Sequence, residues 1–365
     1  MHVQVVDPSA YTPPYDHALC SELARQGADV ELITSGFLYG ELPEPDGYRV
    51  REVFYRHAFG AAGSRLRSFS KLLSHGPDMA RFRTIARHAD LVHFQWLPVQ
   101  WLDRYLLPSR PLILTAHDLL PREPRPGQAR AQRRLYDAVD AVVVHSEYGR
   151  AALRALGVEE RKLHVIHHGA FEHLATPSHE LPPELVDARG GVVLFFGLLR
   201  PYKGLDVLLE AWRQVESGEL WIVGRPLTPL ASLEAKAGPG VRFVPRFVSE
   251  AELKALFTRA EVVVLPYSAI GRFDQSGVLA TALAFGKAIV VSDIGGFPEV
   301  AASGAARLVP AGDPAALAAV LNDLLANPAA RRQLEAGAKR AAAGPYSWRE
   351  AAARTLALYR QVLGG

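Results

Sequence analysis

The sequence predicts an α/β protein built from two doubly wound domains, and three observations carry that reading. Short Val/Ile/Leu-rich runs alternate with helical segments along nearly the whole chain. These runs are continuously apolar, as strands of parallel sheets covered on both faces are. The pattern then restarts after "ATPSHELPPELVDARG", a Pro-rich polar stretch that reads as a linker near residues 174–190. At 365 residues the chain also has the length of two domains, at about 150 residues each.

Taken in order, "VQVVD" is the first strand, "HALCSELARQG" a helix and "ADVELITS" the next strand. The segment from Ser64 to His88 is helical by the spacing of Leu66, Phe69, Leu72 and Leu73. Strands "ADLVHFQWL" and "PLILTAH" follow, then the Arg-rich helix "GQARAQRRLYDAV" and strands "DAVVVHS" and "KLHVIHHG". Past the linker come "GVVLFFG", the helix "LDVLLEAWRQVES", "GELWIVG", "VRFVPRF", the helix "SEAELKALFTRA" and "EVVVLPY". A helix opening at Ser276-Gly277, the strands "KAIVVSD" and "AARLVP", and "DPAALAAVLNDLLA" complete the second half. The last segment, "SWREAAARTLALYRQVLGG", follows a Gly-Pro break and is most simply a cover helix of the second domain.

Hydrophobic residues make up 49% and charged residues 22%, an ordinary soluble globular balance. No apolar run approaches the ~20 residues that span a bilayer. The first residues have neither the basic nor the apolar region of a secretory signal, so a cytoplasmic protein is expected. The single cysteine, Cys20, excludes internal disulfides and reads as a buried helix residue. A net charge of +3 is too weak for a nucleic-acid binder. Residues 64–88 are the exception to the even spread of charge, with many basic residues and one acid, Asp78. Such a segment is a solvated helix face or a peripheral contact with an anionic membrane.

In doubly wound sheets, ligands sit beyond the carboxyl ends of the strands. In the second half these exits carry Gly197, Gly224-Arg225, "RFVSE" with Phe247 and Val248, and "YSAIGRFDQSG". Arg200 and Lys203 follow the first of these strands, and a helix mouth lies at Ser276-Gly277. Two cations and a helix N-terminus on one sheet edge suit a diphosphate. The plainer alternatives are solvated loop charges and Ser276 as an ordinary cap. No G-x-G-x-x-G follows the first strand, and neither a P-loop nor a G-x-S-x-G elbow occurs. His164, His167, His168 and His173 lack metal-ligand spacing, so no metal is expected. In the first half His117 ends an apolar strand, where it can donate to a substrate oxygen or simply to backbone.

The stretches "LTAHDLLP", "VVVHSEYGRAAL", "VIHHGAF", "FFGLLRPYKGLDVLLEAW", "LWIVGRP", "FVSEAELKALFTRAEVVVLPY" and "SGVLATALAFGKAIVVSDIGGFPEV" together carry a likeness. In this order the chain resembles the retaining glycosyltransferases of family 4, the group 1 class of GT-B architecture. The resemblance implies two Rossmann-like domains facing a central crevice. It assigns 1–177, with a crossover helix at 346–365, to the acceptor side and 178–345 to the nucleotide-sugar side. A hexose-type sugar would pass from a nucleotide-diphosphate-sugar co-substrate to a glycan, lipid-linked or small-molecule acceptor. Configuration would be retained, with no cofactor and no metal.

Residue by residue, the resemblance makes Lys203 the lysine on the leaving diphosphate and His117 the histidine at the sugar. Val248 falls in the segment whose backbone reads the base. Ser276, Gly277 and Val278 supply backbone to phosphates and sugar, which places Gln275 beside the donor as well. Three departures stand out. The usual arginine position holds Leu198, so its charge is assigned to Arg200. The two usual glutamates fall at Phe273 and Thr281, leaving Asp274 for the sugar and Thr281 for a ribose hydroxyl. The glycine-rich first loop is replaced by "TPPYDH", which puts Pro14, Tyr15, Asp16 and His17 on an acceptor or donor loop. The alternatives are a degenerate protein that binds a nucleotide sugar without transferring it, and a GT-B nucleotide-sugar epimerase.

Overall fold

Apolar strands punctuated by glycine and polar turns collapse into two parallel sheets in the computed structural model, which describes residues 1–40, 42–120, 126–187, 190–227, 229–268 and 275–364. The first sheet comprises β1 (His2–Asp7), β2 (Asp29–Ser35), β3 (Arg49–Phe54), β4 (Leu91–Phe94), β5 (Leu112–Thr115), β6 (Ala141–Val144) and β7 (Leu163–Val165). Their spatial order is β3-β2-β1-β4-β5-β6-β7, and every pairing is parallel. The helices of this unit are α1 (Pro13–Arg25), α2 (Arg65–Ile85), α3 (Gln100–Leu106), α4 (Gln128–Ala138) and α5 (Glu147–Ala155). The strand order reverses between β1 and β4, the switch point of a doubly wound sheet.

The second sheet repeats the plan. It comprises β8 (Val192–Phe196), β9 (Glu219–Val223), β10 (Val241–Val244), β11 (Val262–Leu265), β12 (Ala288–Ser292) and β13 (Arg307–Val309). The order is β10-β9-β8-β11-β12-β13, with its switch point between β8 and β11. Its helices are α6 (Leu205–Trp212), α7 (Ala231–Glu234), α8 (Glu250–Arg259), α9 (Gly277–Ala284), α10 (Phe297–Ala302), α11 (Pro314–Ala326) and α12 (Pro328–Ala343). Val193, Leu220, Ile222, Val262, Val264 and Val290 lie within one apolar core with Leu205, Leu208, Trp212, Leu317 and Leu321 of the covering helices.

The chain divides into two compact units, Met1–His167 together with α13 (Trp348–Gly364), and the described residues from His168 to Ser347. The division falls before the Pro-rich stretch, because residues 170–171 pack into the second unit. There the Ala170 N–H donates to the Tyr346 carbonyl at 2.7 Å and the Phe171 N–H to that of Ala280 at 3.4 Å. The residues alone put the last helix on the second domain, but α13 packs on α1 in the first unit. Tyr359 of α13 reaches His93, 2.7 Å from its Nδ1, while Nε2 lies 2.8 Å from the Thr115 hydroxyl. Burial holds His93 down to about 3, so this polar clamp stays neutral.

Several elements escaped the sequence, β3, α3, α5, α7 and α10 among them. The charged run Arg49–Phe54 forms edge strand β3, exposed over its first four residues. Edge strands tolerate such charge, which hides their alternation. The seven residues of α3 are too few for a helical period to show.

Candidate functional site

In the second unit, the switch point between β8 and β11 gathers most of the expected residues. Gly197 follows β8 with φ +101°, a left-handed conformation that favours glycine. A Cβ built there would lie 2.8 Å from Lys203 Nζ and 3.2 Å from Val278 Cγ2, so the lysine ammonium lies directly over this glycine. Gly224, after β9, has φ +143°, and a Cβ on it would fall 2.1 Å from the Gly197 carbonyl oxygen. The two strand exits are therefore in backbone contact. The Leu199 N–H extends that contact by donating to the Arg225 carbonyl at 3.0 Å.

Lys203 is not the exposed loop charge that its surroundings in the sequence suggest. It ends the 3-10 turn Pro201–Lys203 and is only 7% exposed. Its Nζ stands 5.5 Å from the ring centre of buried Tyr267, just beyond β11. The Tyr267 hydroxyl lies 3.2 Å from Ser276 Oγ. The Ser276 side chain is thus turned toward Tyr267, and it does not cap α9. An ordinary Ser cap would have satisfied one of the first N–H groups of that helix.

Gly277 opens α9 with no strained backbone angle, and a Cβ there would meet only Phe171 at 3.8 Å, an ordinary contact. Packing within the chain does not demand glycine at this position. Val278 reaches back over Gly197, and half-buried Gln275 accepts the Ser276 N–H at 3.3 Å. Thr281, expected at a ribose hydroxyl, spends its own proton within the helix. Its buried hydroxyl donates to the Gly277 carbonyl at 2.9 Å, the i−4 bond that a helical threonine readily makes. Asp274, expected at the sugar, and Phe273 lie outside the described residues.

The rim is less buried. Arg200 is half-buried at the start of the 3-10 turn. Arg225 is exposed, its guanidinium 5.6 Å from the centre of the Phe247 ring, which is itself exposed. Val248 precedes a capping box in which Ser249 and Glu252 bond each other's backbone at the start of α8. Arg246 braces this segment between Glu184 and Glu252, and both carboxylates hold its own pKa above the usual arginine value. The backbone at Phe247 and Val248 is fixed from both sides.

In the first unit, His117 follows β5. Its Nδ1 lies 3.3 Å from His145 Nε2, and His145 Nδ1 lies 2.9 Å from the Ile166 carbonyl. A carbonyl only accepts, so His145 donates through Nδ1. His117 Nε2 faces the Gln95 side-chain oxygen at 3.0 Å. Trp96 stacks on the imidazole at 5.0 Å and 14°, and Tyr15 meets it edge-on at 4.6 Å. Sequence reasoning gave no role to Gln95, Trp96, His145 or Tyr267, although all four lie in stretches read as strand exits. The available signal was position, since all four stand within two residues of a strand end.

Pro14, Tyr15, Asp16 and His17 form no loop: they are the first turns of α1, which a proline pair opens at Pro13. Pro14 is exposed, whereas the other three are buried. The turn before them is shaped by Asp7 in place of glycines. Its carboxylate accepts N–H groups from Ser9 at 3.1 Å, Tyr11 at 2.6 Å and Thr12 at 3.1 Å. Burial, together with the neighbouring Asp7, pushes Asp16 well above the usual carboxylate range. His17 pairs with the Tyr48 hydroxyl, and burial pulls its pKa down. Among the described residues no group of three His, Cys, Asp or Glu side chains is arranged to hold a metal ion.

Residues 190–327 match the family model described as "Glycosyl transferases group 1", and residues 15–170 match "Glycosyltransferase Family 4". A D-inositol 3-phosphate glycosyltransferase of Xylanimonas cellulosilytica is 30% identical over 382 residues, covering 94% of this chain and 89% of that protein. The alpha-maltose-1-phosphate synthase of Mycolicibacterium smegmatis is 29% identical over 292 residues, 70% of this chain and 74% of that protein. Among solved structures, Anabaena HepE in complex with UDP-glucose superposes with a TM-score of 0.75 at 20% identity, over 98% of this chain and 100% of that one. Sucrose-phosphate synthase of Thermosynechococcus elongatus gives 0.75 at 20% identity, over 100% and 99%. The two parallel-sheet units share the GT-B fold of these neighbours.

Proposed function

The chain belongs to the group 1 glycosyltransferases of family 4, and from that premise we propose that it transfers a hexose-type sugar from a nucleotide-diphosphate sugar with retention and without a metal ion. The observation that carries this reading is the Lys203 ammonium, buried over Gly197 at the β8/β11 switch point beside the mouth of α9. A cation preorganised in a water-poor site stabilises developing negative charge far more than one in solvent. The diphosphate sits against Lys203 and the N–H groups of Gly277 and Val278, with Arg200 at its edge. Arg225 and the braced Phe247-Val248 backbone hold the nucleoside, and Gln275 and Ser276 line the sugar end.

In the reaction the acceptor oxygen bonds to the anomeric carbon as the bond from that carbon to the diphosphate breaks. The acceptor proton leaves on the departing diphosphate. His117 orients the transferring sugar, its ring fixed by the chain through His145 to the Ile166 carbonyl and by the stack on Trp96. The first unit takes a small-molecule, glycan or lipid-linked acceptor, and residues 64–88 supply contact with an anionic membrane surface when the acceptor is lipid-linked. A second reading, a protein that binds the donor without transferring it, is favoured by the absence of both usual glutamates, whose positions hold Phe273 and Thr281.

One experiment separates the two. The protein is mixed with UDP-, GDP- and ADP-sugars and candidate acceptors, with and without EDTA, and free nucleotide is followed. Acceptor-dependent release that EDTA leaves unchanged is the expected result. Strict dependence on added metal would overturn metal independence, and donor binding without release would leave the binding protein as the function.

A further inference from the structure

We propose that α2, α3 and α4 form a single docking face for an anionic lipid bilayer, with Trp101 and Tyr105 of α3 as its inserting side chains. The inference extends the membrane part of the function proposed above. Its test is separable from that reading because it measures vesicle binding with no sugar present.

The topology makes these helices one layer. Each of the connections β3→β4, β4→β5 and β5→β6 moves the same way across the sheet, and crossovers of one hand place their helices on one face. α2 contacts α3, and α3 contacts α4, as that requires. A buried hydrogen bond locks the first two together: His75 Nε2 lies 2.5 Å from Asp103 Oδ1, and both side chains are fully buried. Leu66 and Leu73 lie opposite His75 on the helical wheel of α2, with Phe69 flanking them, and Trp101 and Tyr105 lie opposite Asp103 on α3. These five point away from the sheet, and each is more than half exposed. Soluble proteins seldom present so many large apolar side chains together.

Charge identifies the partner. Across the three helices there are nine Arg and Lys residues, five on α2, one on α3 and three on α4, against three acids. None of the acids opposes a ligand freely. Asp103 is buried on His75, Asp78 accepts the Tyr55 N–H, and Asp137 pairs with Arg133. The Arg104 guanidinium stands 4.1 Å from the centre of the Tyr105 ring, so cation and aromatic ring share one spot. Basic residues around aromatic and aliphatic side chains fit phosphate headgroups above an acyl layer. A protein partner would call for a drier patch with fewer charges.

The test uses full-length protein with vesicles of phosphatidylcholine alone or mixed with phosphatidylglycerol. Binding only to the anionic vesicles is expected, lost at about 1 M salt, where screening acts within about 3 Å. Lipids brominated in the acyl chain should quench tryptophan emission, and Trp101→Phe should remove that quenching. Arg65→Gln with Arg83→Gln should weaken binding about 25-fold, at about fivefold for each basic residue near an anionic surface. All of these positions are exposed, so the variants stay folded. Equal binding to neutral vesicles, or anionic binding without acyl-chain quenching, would overturn the proposal. So would an absence of vesicle binding; concentration-dependent self-association that Trp101→Ser abolishes would then assign the face to a second copy of the chain.

Discussion

Lys203→Met is expected to cut sugar transfer by about 10²–10³-fold, the usual effect of removing one preorganised group that stabilises developing charge. Methionine keeps the length and apolar stem of the side chain against Tyr267 and Gly197 but takes away the ammonium. Alanine is a poorer choice, because Lys203 is buried and truncation would also leave a void. The loss should appear in kcat as well as KM, since charge on the diphosphate grows as the sugar leaves. Steady-state nucleotide release checks this, beside a melting curve showing that the variant is folded. Near-wild-type turnover in a folded Lys203→Met would remove the lysine from the chemistry.

The second large effect concerns stability. Asp103→Ala is expected to cost about 1–3 kcal/mol for each buried polar group it leaves unsatisfied, His75 Nε2 first among them. The damage spreads beyond the pair. His75 Nδ1 also lies 2.7 Å from the buried Tyr55 hydroxyl, and Asp103 accepts the Val99 N–H at 2.8 Å where α3 begins. Tyr55 itself has φ +55°, a strained angle for a non-glycine residue, so the network holds an unfavourable backbone in place. Denaturant unfolding of wild type and variant measures the cost. A difference below about 1 kcal/mol would show that this buried contact adds little to stability.

The fold was legible because its cause is simple: buried parallel strands are continuous apolar runs, and here they recur between helices. The switch-point site was legible for the same reason, since Gly197, Lys203 and Ser276-Gly277 sit at strand exits. The burial of Lys203 was not. It depends on a 3-10 turn folding back beneath Tyr267, a contact 64 positions along the chain (267 − 203) that no local pattern encodes. The turn before α1 shows the same limit from the other side. Without glycines it looked like a substitute loop, yet three N–H bonds to Asp7 shape it and Pro13 starts a helix. The support of His117 was hidden because Gln95 and His145 arrive from neighbouring strands, β4 and β6. Their meeting is a property of strand order rather than of spacing.

The central claim, a nucleotide-diphosphate sugar held at the β8/β11 switch point by Lys203, is tested most directly by melting curves against a panel of UDP-, GDP- and ADP-sugars. A ligand at about 100 times its Kd adds about 2.7 kcal/mol to a protein that binds it only when folded. At least one panel member should raise the melting temperature of the wild-type protein, and the same ligand at the same concentration should leave Lys203→Met nearly unshifted. A panel that shifts nothing, or a shift undiminished in Lys203→Met, would contradict the claim.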